Sequence, residues 1–172
     1  FSQQGAVSGL ILTNSTYRVV SCGFNSSTCS GAVNGIYLDG TAAVMVGGKI
    51  EDSQFIGSAT YTTAIKANQI TILEACELNI HDALVGISID GASTAKNFFK
   101  NMDIGVCGTG INIIAGTGTH FDSTHLHGNA VNIVEGVTTD NVWNGISGEF
   151  EVTVEPVNTT GVEVTAGNGT WG

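Results

Sequence analysis

The segment THFDSTHLHGN, residues 119–129, gathers three of the chain's four histidines. His125 and His127 are two residues apart, so on a strand their imidazoles share one face. With Asp122 nearby, two imidazoles and a carboxylate could hold a transition metal; they could equally form a surface patch that titrates near neutral pH. H-x-H is a short signal, and solvated histidines on an outer strand cost nothing, so neither a metal nor a cofactor is expected. Glu77 and Asp103 have a different chemistry open to them. Held ~5 Å apart, two carboxyls match the acid and nucleophile of a retaining glycosidase. Their like charges would raise one pKa, as the acid role requires. Glu77 and Asp103 are therefore the candidate catalytic pair, and Glu74, Asp122, His125 and His127 the candidate ligand-binding residues. His81-Asp82 is less promising, because neighbours along a chain point in different directions and no Ser stands in a G-x-S-x-G setting. It reads as part of a turn.

Whether these groups meet depends on the elements that carry them, and those elements repeat. A short apolar motif recurs as GLIL (9), GIYL (35), AIKA (64), GISI (86), GINI (110) and AVNIV (130), with a weaker GVEV at 161. Each copy alternates apolar and other residues, the mark of a strand with one buried face. Between these copies lies a second motif: VVSCGF (19–24), IEDSQF (50–55), LEACEL (73–78), FKNMDI (99–104) and FDSTHL (121–126). Fixed motifs with variable spacers imply strands and corners of constant geometry joined by variable loops. A coil of this kind cannot bury its apolar side alone, so neighbours must stack. Six to seven coils fit, their strands ~4.8 Å apart in parallel sheets.

The pairing of the two motifs resembles the right-handed parallel β-helix of the pectate-lyase-like superfamily over residues 9–150. The short coils rich in Gly, Asn and Thr look most like segments of viral tailspikes or appendages. An all-β, right-handed parallel β-helix over residues 1–150 is expected, followed by an atypical coil or a new segment over 151–172. An antiparallel sandwich fits less well, since two-residue hairpin signals are few. In the expected stacking, Phe24, Phe55, Leu78, Ile104 and Leu126 form one interior file. Outside, Glu51, Glu74, Lys100 and Asp122 form one file and Gln54, Glu77, Asp103 and His125 another, which would set Glu77 beside Asp103.

Composition narrows the function. Five Lys and Arg against fifteen Asp and Glu leave a formal charge of −10, too few cations for a phosphate-binding stripe. No apolar run approaches the ~20 residues of a membrane span. Neither nucleic acid nor membrane insertion is expected. Cys22, Cys29, Cys76 and Cys107 show no zinc spacing and read mostly as buried thiols, with Cys22 and Cys29 able to bridge a loop. Both ends read as cuts within a longer polypeptide. Lyase chemistry of the resembled superfamily needs basic residues in a pattern absent around Arg18, Lys49, Lys66, Lys96 and Lys100. The resemblance implies a structural and receptor-recognition segment of a virion-surface spike, fibre or appendage. Such a segment would be trimeric or joined to other virion proteins, and would meet host surface glycans through polar side chains and aromatics such as Tyr37, Tyr61 or Trp143. A polysaccharide-degrading enzyme and a microbial surface adhesin are the alternatives.

Overall fold

The computed structural model describes residues 8–13, 16–25, 34–57 and 62–148. Among these residues strands follow one another without helices: β1 (Ser8–Thr13), β2 (Arg18–Val20), β3 (Gly23–Asn25), β4 (Asn34–Asp39), β5 (Met45–Ile56), β6 (Thr63–Asn68) and β7 (Ile70–His81). Then come β8 (Val85–Asp90), β9 (Phe98–Gly105), β10 (Thr109–Thr117), β11 (His120–His127), β12 (Val131–Thr139), β13 (Val142–Asn144) and β14 (Ser147–Gly148). No helix among the described residues is long and apolar enough to cross a membrane.

All the pairings are parallel, and each strand pairs with its counterpart one turn on. One sheet runs β1-β4-β6-β8-β10-β12 and the other β13-β11-β9-β7-β5-β2. The architecture is a parallel β-helix. The six strands of the first sheet span about five turns, fewer than the six to seven expected. The expected atypical coil at 151–172 lies outside the described residues, as do Tyr61 and Cys29.

Corners explain how straight strands close into coils. Three files of residues with left-handed backbone run up the structure: Gly47, Ile72, Lys96, Gly118 and Asp140; Ser21, Asp52, Glu77, Asn101, Ser123 and Gly145; and Asp82, Val106 and Gly128. A single residue near φ +55° turns the chain sharply while its neighbours stay extended. Long strands such as β5, β7, β9 and β11 are therefore bent at Asp52, Glu77, Asn101 and Ser123.

The G-I-x-I motif has a steric cause. Its two Ile-type positions point inward, so Ile36, Ile65, Ile87 and Ile111 stack in one fully buried file. The residue before them is crowded both by the next strand of its own sheet and by the opposite wall. A Cβ on Gly35 would come within 2.6 Å of Ala64 O and 3.0 Å of the Phe55 ring.

Aromatic stacking continues this order along the axis. Phe24 and Phe55 stack at 4.8 Å, and Phe99, Phe121 and Trp143 at 4.7 and 4.6 Å, all with nearly parallel planes. Such spacing matches the strand repeat, so each ring covers the one below it. Trp143 is thus a core residue, 5% exposed, and not a surface platform for a sugar.

The interior file differs from expectation at one member. Phe24 and Phe55 are followed by Ile80, Ile104 and Leu126, while Leu78 stands in the next inward file with Ser53 and Met102. The third copy of the second motif is therefore ACELNI (75–80). Both alignments keep the same residues facing inward, because a slip of two leaves every side chain on its own face. Alternation alone could not separate them.

Candidate functional site

The register decides which polar groups meet. On three successive turns, Asn79, Asp103 and His125 fall in one outward file, and His81, Gly105 and His127 in the next. His81 closes β7, Asp103 lies near the end of β9, and both His125 and His127 come from β11. Three imidazoles thereby converge on one carboxylate. His81 Nε2 lies 3.4 Å from Asp103 Oδ2, while His125 Nδ1 and His127 Nε2 lie 3.1 and 3.2 Å from Oδ1.

Gly105 makes this convergence sterically open. The backbones of His81 and His127 are two strands apart, roughly 9.6 Å at the usual spacing, yet their ring centroids are 5.2 Å apart. No side chain at Gly105 stands between them. His125 stacks on His127 at 4.8 Å, and the cluster stays open to solvent, with Asp103 40% exposed.

A second feature lies across the Asp52–Glu77–Asn101 corner file from the cluster, toward the amino-terminal turns. Tyr17, Arg18, Lys49, Glu74, Lys96 and Phe98, with Gly47 and Gly48, line an open groove of about 660 Å³. The Tyr17 ring packs on Gly48, whose added Cβ would fall within 2.2 Å of it. Its hydroxyl is buried without a hydrogen-bond partner, and that burial pushes the phenol well above its ordinary pKa. Arg18 Nε donates to Glu51 Oε1 at 2.8 Å, and Lys49 Nζ sits 2.8 Å from Glu51 Oε2 and 3.4 Å from Glu74. Lys49, then Arg18, hold the Glu51 carboxyl below its ordinary range, and Glu51 in turn raises Lys49. Phe98 presents a half-buried ring, edge-on to His120 at 4.9 Å.

No family profile and no curated protein matches the sequence. Among solved structures, the chain is similar to the full-length tailspike protein 2 of Escherichia coli O157:H7 bacteriophage CAB120, at 14% identity and a TM-score of 0.38. The alignment covers 80% of this chain and 30% of that one, so the chain spans under a third of that tailspike's length.

The candidate residues divide between these places. Asp103, His125 and His127 meet in the cluster, and Glu74 lines the groove. Asp122 stands apart from the histidines, in register with Lys100 and Asn144, and accepts from Asn144 Nδ2 at 3.0 Å. Glu77 occupies a left-handed corner aligned with Asp52 and Asn101, beside a shallow depression it shares with Gln54 and Asn79. The neighbours of Asp103 in its file are Asn79 and His125, so the structure does not align Glu77 with Asp103. His81 is the member that sequence reasoning set aside as a turn residue. It does ignore Asp82, as expected of adjacent residues, but its partner lies one turn on. Cys22, Cys76 and Cys107 are free thiols, and burial pushes Cys107 above the usual thiol range.

Proposed function

We propose that the chain is a rigid recognition segment of a virion-surface spike or appendage, and that it receives a host surface glycan in the Tyr17–Phe98 groove. The observation that carries this reading is the groove's lining. A half-buried aromatic ring, charges of both signs and two glycines converge on an open trough built from strands. Sugar rings offer apolar faces to an aromatic and hydroxyls to charged and polar groups, and a few well-placed polar groups set the specificity of such a site. The parallel scaffold fixes these side chains before any ligand arrives, which lowers the ordering cost of binding. Arg18, Lys49 and Lys96 gather three of the chain's five cations here. The groove is therefore locally basic on an otherwise acidic surface. The resemblance of the short irregular coils to viral appendages supports the placement on a virion and a trimeric assembly.

The reading is tested by screening the full chain against a panel of bacterial surface polysaccharides, then titrating hits calorimetrically against Phe98→Ala and Lys96→Ala. Each substitution should weaken binding by about tenfold or more, as loss of a recognition contact of roughly 1.4 kcal/mol would. Binding unchanged in both variants, or no binding across the panel, overturns it. A solution mass three times that of the chain is the expected assembly.

A further inference from the structure

The histidine cluster carries a second function, independent of the glycan groove. We infer that His81, Asp103 and His127 bind one divalent transition-metal ion, of the zinc, cobalt, nickel or copper(II) class, and that the ion clips three successive turns together.

Geometry is the first argument. The three side chains offer donor atoms that all lie within 4.8 Å of one another. A tetrahedral ion with bonds of about 2.0–2.1 Å needs donors ~3.3 Å apart. His81 Nε2 lies 3.4 Å from Asp103 Oδ2 and His127 Nε2 3.2 Å from Oδ1, so each imidazole already stands at about that distance from one oxygen of the carboxylate.

Donor chemistry is the second. Imidazole nitrogens with one carboxylate suit borderline transition ions rather than calcium or magnesium, which take oxygen shells. Three protein donors leave a fourth position facing solvent, where an open-site ion keeps water. His125 Nδ1, 3.1 Å from Asp103 Oδ1, acts as a positioning residue that orients the carboxylate.

The third argument is the vacancy at Gly105. Any side chain there would collide with His127, whose Nε2 lies only 2.4 Å from a Cβ built on Gly105. The histidines can reach a common point only because this position in the file is empty. Because β7, β9 and β11 each contribute a ligand, the ion would bind the stacked coils and not the unfolded chain. It would then stabilise the fold by mass action.

The full chain, stripped of metal by chelation and desalting, is titrated with zinc chloride by calorimetry and with cobalt(II) by visible absorption. The expected result is one ion per chain, a cobalt spectrum of low coordination number and a higher melting temperature with zinc. His81→Ala, Asp103→Asn and His127→Ala should each weaken binding at least about tenfold, in line with the loss seen for even outer-shell partners. Gly105→Ala should do the same by displacing the His127 ring, although every donor residue is retained. His120→Ala, a histidine packed on Phe98 outside the cluster, should leave binding unchanged. Absence of one-to-one binding overturns the inference. So does binding that survives both His81→Ala and Gly105→Ala, because the ion would then sit elsewhere. Circular dichroism of each variant confirms that it folds.

Discussion

The imidazole of His127 lies over the backbone of Gly105 on the neighbouring turn, so close that a Cβ on Gly105 would stand 2.2 Å from its Cε1. A glycine in a strand interior is unfavourable by about 0.5–1 kcal/mol relative to alanine. Here its lack of a side chain lets two rings from alternate turns share one carboxylate.

Gly105→Ala is therefore expected to displace the ring rather than the strand. The colliding atoms are the far end of a rotatable side chain, so the fold should lose less than about 1 kcal/mol in urea unfolding, short of typical core overpacking. The ring should swing away, lengthening the His127 Nε2 to Asp103 Oδ1 contact from 3.2 Å beyond hydrogen-bond reach. Histidine side-chain NMR signals report this directly. An unmoved His127 resonance would show that the contact does not depend on Gly105.

Corners supply a prediction of opposite sign. Ile72 and Val106 hold φ of 58° and 54°, and both are exposed. Left-handed backbone costs a residue with a Cβ roughly 1–2 kcal/mol, and a β-branched side chain is a marked outlier there. Asn tolerates that conformation by hydrogen bonding locally. Ile72→Asn and Val106→Asn should each raise stability by about 0.5–1 kcal/mol in denaturant titration. A loss of stability in both would mean that their corner geometry carries no strain.

The repeat and its inward files were readable because burial enforces alternation over every coil, as the stacked file of Ile36, Ile65, Ile87 and Ile111 shows. The cluster was readable only in part: His125 stands beside Asp103 as expected, but the neighbour on the other side is not the expected one, and the cause is specific. LEACEL and ACELNI satisfy the same apolar template two residues apart, and the choice between them decides whether Glu77 or Asn79 adjoins Asp103. The corner file offered the missing signal. Its other members, Ser21, Asp52, Asn101, Ser123 and Gly145, are turn formers, and the shorter alignment would place Ala75 among them. His81 was hidden for a related reason. Its partner is set by a coil length, and the variable loops make coil lengths unpredictable from spacing alone. Trp143 looked like a surface aromatic because nothing in its local sequence reveals that Phe121 lies beneath it.

Acid should weaken the fold partly through Glu51. Lys49 and Arg18 hold its carboxyl below the ordinary glutamate value of 4.5. A carboxyl with a depressed folded-state pKa contributes stability above its unfolded value, and that contribution fades as pH falls through the folded value. Urea midpoints of the parent chain should therefore decline between pH about 5 and about 3 more steeply than those of Glu51→Gln. Raising the salt concentration should narrow the difference, since this ion-pair ladder is solvent-facing. Parallel acid profiles for the two proteins would remove Glu51 from the account.

Asn97 tests how the corners satisfy their own backbone. It is 1% exposed and in register with Leu73 of the previous turn. Its Oδ1 accepts from Leu73 N–H at 2.9 Å, and its Nδ2 donates to Ile70 C=O at 3.2 Å. Asn141 repeats the arrangement two turns on, accepting from Thr119 N–H at 3.0 Å. A buried peptide group left without a partner costs about 1–3 kcal/mol. Asn97→Ala strands the Leu73 N–H, while Ile70 C=O keeps the Ala95 N–H at 3.1 Å, so it should destabilise the chain by roughly 1–3 kcal/mol. Asn97→Asp keeps the acceptor for Leu73 but loses the donor to Ile70 and buries a charge beside that carbonyl. It should do no better than alanine. Hydrogen exchange adds the site-specific readout: in Asn97→Ala the Leu73 amide should exchange faster than in the parent chain by more than the global loss of stability accounts for. An unchanged midpoint in Asn97→Ala would mean that water replaces the amide at little cost, and that the corner does not need its asparagine.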